Sequence, residues 1–207
     1  MPRNLKDHIL QTASELFYRH GIKATGIDTI IKASGIAKMS LYKYYPSKDA
    51  LVLAYLQTSA DCMRNRILTG INDKNFNPQE KILAIFAVFD EMVASPDFRG
   101  CPFINAAVEY ADVDGPIQQA AADFYREFCH LLTDLARQAG YSEPEELSTQ
   151  LSILLAGATT REQIHKGSGA MRSAYKVAET LLKINSAEKA LDVSGKTPLN
   201  IVEINKF

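Results

Sequence analysis

Apolar residues recur three and four positions apart along most of this chain. Ile9, Ala13, Leu16 and Phe17 form one such stripe, Ile82, Ile85, Phe86 and Phe89 a second, and Phe124, Phe128, Leu131, Leu132 and Leu135 a third. Leu147, Leu151, Leu154, Leu155 and Ala158 follow, then Ala174, Val177, Ala178, Leu181 and Leu182. That spacing places each group on one face of an α-helix. Two-residue alternation, the mark of a half-buried strand, occurs only at Leu199 to Ile204, after a turn-like Ser-Gly-Lys-Thr-Pro. The eight prolines, at 2, 46, 78, 96, 102, 116, 144 and 198, punctuate these segments, as expected of a residue tolerated at helix starts and costly inside. The pattern predicts an all-α fold.

The first fifty residues are cut finer. A helix is expected from about Leu5 to His20, ended by Gly21, then two short ones near Ile27 to Ser34 and Lys38 to Tyr44, divided by Gly35. Thr25 with Asp28 three residues on reads as a capping box for the first short piece. Helix, glycine-bearing turn and second short helix make a helix-turn-helix. Pro46 stops the chain, and Ser47 can cap a helix reaching about Leu68, roughly 30 Å of rigid connector.

Composition adds exclusions. The 207 residues suit one or two domains, and 46% apolar with 23% charged is globular rather than disordered. The longest apolar run, Ile82 to Phe89, is far short of the roughly 20 residues a membrane span needs. The charged start lacks the apolar stretch of a secretory signal. Three scattered cysteines, 62, 101 and 129, fit neither a disulfide scaffold nor a zinc site. A reduced cytoplasmic protein without membrane, metal or cofactor is expected. Ala190 to Thr197 matches a relaxed phosphate-loop pattern, but Pro198 follows at once and no βαβ unit surrounds it. Asp112-Val113-Asp114-Gly115 starts like a calcium loop and lacks the later ligands. The histidines are dispersed, and no catalytic signature emerges, so no enzyme is expected.

Charge matters by position. The net of −1 conceals eight Lys and Arg against four Asp and Glu in residues 1–50, a net of +4, and 15 against 20 in the remainder, a net of −5. Lys38, Lys43 and Lys48 lie on or beside the third short helix with Tyr42, Tyr44 and Tyr45. A short helix with amines and aromatic hydroxyls can enter a DNA major groove about 12 Å wide, while flanking lysines neutralise phosphates. A merely solvated basic face would carry the same charges.

The runs Gly21-Ile22-Lys23-Ala24-Thr25-Gly26-Ile27-Asp28-Thr29-Ile30, Ala33-Ser34-Gly35-Ile36 and Leu41-Tyr42-Lys43-Tyr44-Tyr45-Pro46-Ser47-Lys48-Asp49-Ala50-Leu51 resemble the N-terminal domain of the TetR family of bacterial repressors, over about residues 5 to 55. The resemblance implies a DNA-binding domain at 1–47, with Lys38 to Tyr44 as recognition helix, a helical regulatory and dimerisation domain at 48–185, and an extension at 186–207. It implies phosphate contacts from Thr25 and Lys48, and contacts to bases or nearby backbone from Tyr42, Lys43 and Tyr44. Lys38, Met39 and Ser40 complete the expected DNA-facing set. Gly26 replaces a usual Ser or Thr, and Met39 a usual Gly.

The resemblance also implies a homodimer on a palindromic double-stranded operator, released by a small-molecule effector. Its last two helices would form the dimer interface, through Leu151, Leu154, Leu155, Ala158, Ala174, Val177, Ala178 and Leu181, although these would serve equally as intrachain core. The aromatic middle helices suggest an effector pocket lined by Phe86, Phe89, Met92, Phe103, Phe124 and Phe128, with Glu109 as a polar anchor; the aromatics could also be plain core. Cys101, between Gly100 and Pro102, is expected at the entrance of a helix Phe103–Ala111, where a thiolate is favoured. Its surroundings resemble a stretch recurring in one TetR subgroup. That suggests an electrophile or oxidant sensor, against a small buried apolar residue. The alternatives to a ligand-responsive repressor are therefore a helical small-molecule carrier or a thiol-based sensor.

Overall fold

The computed structural model describes residues 4–110 and 114–192, with side chains through residue 184. Nine helices and no strand occur among the described residues: α1 (Leu5–His20), α2 (Ile27–Ser34), α3 (Lys38–Tyr44), α4 (Lys48–Gly70), α5 (Pro78–Ala94), α6 (Pro102–Glu109), α7 (Pro116–Gln138), α8 (Pro144–Ile164) and α9 (Ala170–Asp192). The helix starts follow from local chemistry. Pro78, Pro102, Pro116 and Pro144 each sit in a first turn, where no intrahelical N–H is missed. Asn77 and Glu80 form a reciprocal capping box on α5, and Ser47 Oγ accepts from Ala50 N–H at 3.0 Å on α4. Gly21 (φ 89°) and Gly35 (φ 69°) end α1 and α2 in backbone conformations that side-chain-bearing residues rarely adopt.

The expected capping box of α2 does not form. The Thr25 hydroxyl turns inward and donates to Gly21 O at 2.7 Å, leaving Gly26 as an N-cap without a side-chain bond. The strand expected at Leu199 to Ile204, Asp112-Val113 of the calcium-like start, and all of Ala190 to Thr197 beyond Asp192 lie outside the described residues. So does Ala111, the expected end of α6. The α9 helix runs past the expected boundary at 185, to Asp192.

Two hydrophobic cores organise the chain. One holds Ile9, Ala13 and Phe17 of α1, Ile30 of α2, Leu41 of α3 and the first half of α4, together with Phe103 and Ala106 of α6 and Ile117 and Ala121 of α7. The three N-terminal helices therefore share one core with the body and do not form a free-standing ball. The second core joins the far half of α4 with α5, the later part of α7, α8 and α9. Phe124 packs against both.

This packing covers most of the expected dimer face from within the chain. Leu151, Leu155, Ala158, Ala174 and Ala178 are buried inside their own chain, so they have no surface to offer a second copy. Leu154 and Leu181 are half-buried against the same core, and only Val177 of the expected set is exposed. The apolar residues left open on α8 are Ile153 and Ile164, in line with the exposed Gly157, and on α9 Val177 and Ile184. The apolar stripe left open to solvent is thus the neighbour of the one that the periodicity makes prominent.

Candidate nucleic-acid interface and the cavity behind it

Helix α3 is anchored by Leu41, which is fully buried, and by Tyr45 just past its end. Anchoring on those residues turns Lys38, Met39, Tyr42 and Lys43 outward; Met39 is 86% exposed. Ser40 and Tyr44 are half-buried beside them. Lys38 pairs with Asp28 of α2 at 3.4 Å, both exposed, a contact too well solvated to compete strongly with a phosphate. His8 Nε2 lies 3.0 Å from Ser34 O, and the Tyr45 hydroxyl donates to Lys6 O at 3.4 Å, holding α1, α2 and α3 together.

The two residues expected to contact phosphate, Thr25 and Lys48, stand differently from each other. Thr25 is buried and its hydroxyl is committed to Gly21 O, so its side chain cannot reach a phosphate. Lys48 is half-buried at the start of α4; burial pushes its pKa down while Glu109 and Asp49 pull it up. It belongs to a polar seam between the N-terminal helices and the body. Within that seam Glu109 of α6 accepts from the backbone N–H of Ile22 at 3.0 Å and of Lys23 at 2.6 Å. The Tyr110 hydroxyl donates to Asp49 at 2.8 Å, and the Lys23 ammonium lies 5.8 Å from the Tyr110 ring centre. Glu109 is therefore a clamp on the turn after α1, and it does not line the cavity between the two cores. Sequence spacing could not reveal it, since its partners lie 86 and 87 residues away.

Behind the seam, where the two cores meet, lies a cavity of about 390 Å³. Its walls come from α1 (Ser14, Tyr18), α4 (Tyr55, Met63), α5 (Phe89, Met92), the segment Phe98 to Pro102, α7 (Phe124, Tyr125, Phe128) and α8 (Leu155, Thr159). Of the expected lining residues, Phe89, Met92, Phe124 and Phe128 are present. Phe86 and Phe103 are buried core side chains away from it; Phe103 instead stacks behind Phe124, ring centres 3.8 Å apart. Ser14, Tyr55 and Thr159 were missed, because a polar residue beside an apolar stripe carries no signal of its own.

Cys101 is the N-cap of α6 and lines this cavity, its Sγ 3.7 Å from the Tyr125 hydroxyl. The helix-start effect is present but loses. Burial pushes the Cys101 thiol up, and the opposing bonds from the backbone at Ile104, the Tyr125 hydroxyl and the backbone at Phe103 do not offset it. The reactive thiolate expected of a sensor is disfavoured here. Among the described residues no group of three or more potential metal ligands occurs, and no helix is long and apolar enough to cross a membrane.

Comparisons with known proteins agree with this geometry. Residues 9–55 match the family model "Bacterial regulatory proteins, tetR family", and residues 78–178 match "Tetracyclin repressor-like, C-terminal domain". The chain is 26% identical over 188 residues to the HTH-type transcriptional regulator YjdC of Escherichia coli, covering 86% of this chain and 93% of that protein. It is 28% identical over 156 residues to the HTH-type transcriptional regulator LmrA of Bacillus subtilis, covering 73% and 82%. The crystal structure of SCO4454, a TetR-family transcriptional regulator from Streptomyces coelicolor, superposes with a TM-score of 0.83 at 27% identity, covering 88% of this chain and 96% of that one.

Proposed function

The chain belongs to the TetR family of bacterial regulatory proteins, a DNA-binding transcriptional regulator, and from that premise we propose that it is a repressor that binds a palindromic operator as a homodimer and leaves it when a small molecule occupies the cavity. One observation carries the reading: the same cavity is walled by α1, which braces the DNA-reading helix, and by α8, which bears the open apolar stripe. Lys38, Met39, Tyr42 and Lys43 of α3 meet the major groove, with Ser40 and Tyr44 beside them and Lys48 on the phosphates. Ile153, Gly157, Ile164, Val177 and Ile184 pair with their copies in the partner. Two heads so joined must sit about 34–36 Å apart to read successive major grooves. A ligand that fits the cavity better at another head spacing shifts the population off DNA, because only differential affinity moves such an equilibrium.

The test begins by selecting bound sequences from a random DNA pool with the full-length protein. On the selected site Tyr42→Ala and Lys43→Ala weaken specific binding by about 1–3 kcal/mol each. Lys48→Ala weakens selected and unselected DNA alike and lowers the salt slope by about one. Failure to enrich any sequence, or three variants with unchanged affinity, removes the assignment of α3 as the reading helix.

A further inference from the structure

Two hydroxyls on residues that line the cavity are buried without a hydrogen-bond partner among the described residues: Ser14 Oγ on α1 and Thr159 Oγ1 on α8. Thr159 is only 6% exposed. The habit elsewhere in this chain is different. Thr12, Ser59, Thr149, Thr160 and Ser173 each donate to the carbonyl four residues back. Thr160, the immediate neighbour of Thr159, does so at 2.9 Å. Buried polar groups are nearly always paired, so two orphans on residues that line one cavity mark groups that a bound molecule can satisfy. A third such atom, Gln118 Oε1, lies outside the cavity.

The walls between the two hydroxyls set the rest of the ligand. Phe124 and Phe128 have parallel rings, 4° between planes, with centres 6.5 Å apart. Phe103 covers the back of Phe124 at 6° and holds it in that orientation. Two rings of one orientation offer a flat molecule a matching wall, since aromatic groups stack best offset and parallel. Charge is kept to the rim: Glu15 and Arg66 are the charged residues of the lining, and both are exposed. An ion deeper inside would find hydroxyls of Ser14, Tyr55, Tyr125 and Thr159 but no counter-charge, and its desolvation would go uncompensated. A space of this size suits about two or three fused rings.

We propose that the cavity takes an uncharged, planar aromatic molecule bearing oxygen groups of phenol or carbonyl type at its edge, laid against Phe124 and Phe128 and hydrogen-bonded to the hydroxyls of Ser14 and Thr159. This rests on the reading of the cavity as the effector site and names the chemistry of the effector. Calorimetric titration of the full-length protein tests it with four probes: naphthalene-2,6-diol, naphthalene, the fully saturated decalin-2,6-diol and naphthalene-2,6-dicarboxylate. The aromatic diol is expected to bind about 10–30-fold more tightly than naphthalene, from two recovered hydrogen bonds. It should also exceed the saturated diol and the dicarboxylate by about tenfold. Thr159→Val and Ser14→Ala each lower affinity for the diol about fivefold and leave naphthalene unchanged, which separates a lost contact from a damaged fold. A diol that fails to bind, or binds no better than naphthalene or its saturated counterpart, overturns the assigned chemistry. The two readings fail separately. A diol that binds with these preferences but leaves affinity for the selected DNA unchanged upholds the ligand class and refutes release by it. Specific DNA binding with no preference for the diol refutes the ligand class and upholds the DNA-binding assignment.

Discussion

Removal of the Glu109 carboxylate should release the turn between α1 and α2 from the body. Its two oxygens hold the N–H groups of Ile22 and Lys23 at 3.0 and 2.6 Å. Hydrogen bonds to a charged group contribute about 1.5–3 kcal/mol each in mutational series. Lys23 is exposed, so water can replace the bond to it, and the expected cost of Glu109→Ala is at the low end, about 2–3 kcal/mol in all. Glu109→Gln keeps one acceptor and turns a donor toward the second N–H, costing about half as much. For a chain of this size 1 kcal/mol corresponds to about 2–4 °C in Tm, so Glu109→Ala should melt about 4–10 °C lower.

A second assay reads the turn itself. Trypsin cuts after Lys23 only when that turn opens, and 2 kcal/mol of lost clamping raises the cleavage rate about 30-fold where opening is fast. Gly21→Ala attacks the same contact from the other side, since an added Cβ would sit 3.3 Å from Glu109 Oε1 at a φ of 89°. Its effect should be less than additive with Glu109→Ala, as expected when two changes break one interaction. A Glu109→Ala protein with unchanged Tm and unchanged cleavage after Lys23 would refute the clamp.

Three further outcomes are expected. Glu162 closes the α8–α9 turn, its oxygens accepting from Gly167 N, Ser168 N, Ser168 Oγ and Ala170 N at 2.7 to 3.2 Å; burial opposes its ionisation but these bonds prevail and lower its pKa. A lowered folded-state pKa stabilises above the unfolded value of 4.5 and is lost as pH falls through the folded value, so Glu162→Gln should cost about 2 kcal/mol at pH 7 and progressively less in urea titrations as pH falls below 4.5. Iodoacetamide at pH 7.5 should label the exposed Cys62 well before Cys101, and labelling of Cys101 should still be accelerating at pH 9 because burial raises its thiol pKa; equal rates by mass spectrometry would contradict that. Ile153→Asp and Ile164→Asp should yield folded monomers in analytical ultracentrifugation, whereas Leu151→Asp, at a fully buried position, should impair folding itself; a dimer intact in both surface variants rules out this face.

Much of the frame is legible in the sequence because it is written in local chemistry. Gly21, Gly35 and the prolines at 78, 102, 116 and 144 stop and start helices through constraints that act within a turn, and they appear where expected. The outward set on α3 follows from Leu41 and Tyr45 being the residues that must be covered. Thr25 shows the limit of such reasoning. A hydroxyl before a helix has two local options, the N–H groups ahead or a carbonyl behind, and Gly21 O at 2.7 Å takes it. Only the arrangement of the whole turn decides between them.

The α8 and α9 stripes show a more general limit. Periodicity identifies the side chains that must leave water, and says nothing about whether their cover comes from the same chain or another. In a helix with an intrachain core on one side and a partner on the other, the stronger apolar stripe belongs to the core, which covers it completely. Leu151, Leu155, Ala174 and Ala178 lie in such a core, and the apolar surface left open is the sparser line of Ile153, Gly157, Ile164 and Val177. The cavity inverts the same logic. Its most informative groups, Ser14 and Thr159, sit among apolar neighbours and would be expected to be covered and paired. They stand out only once the hydroxyls of Tyr18, Thr58, Ser59 and Ser152 around them are seen to have found a carbonyl. Covering is written in the pattern of the chain, whereas an unmet hydrogen bond exists only between elements that the fold has already brought together.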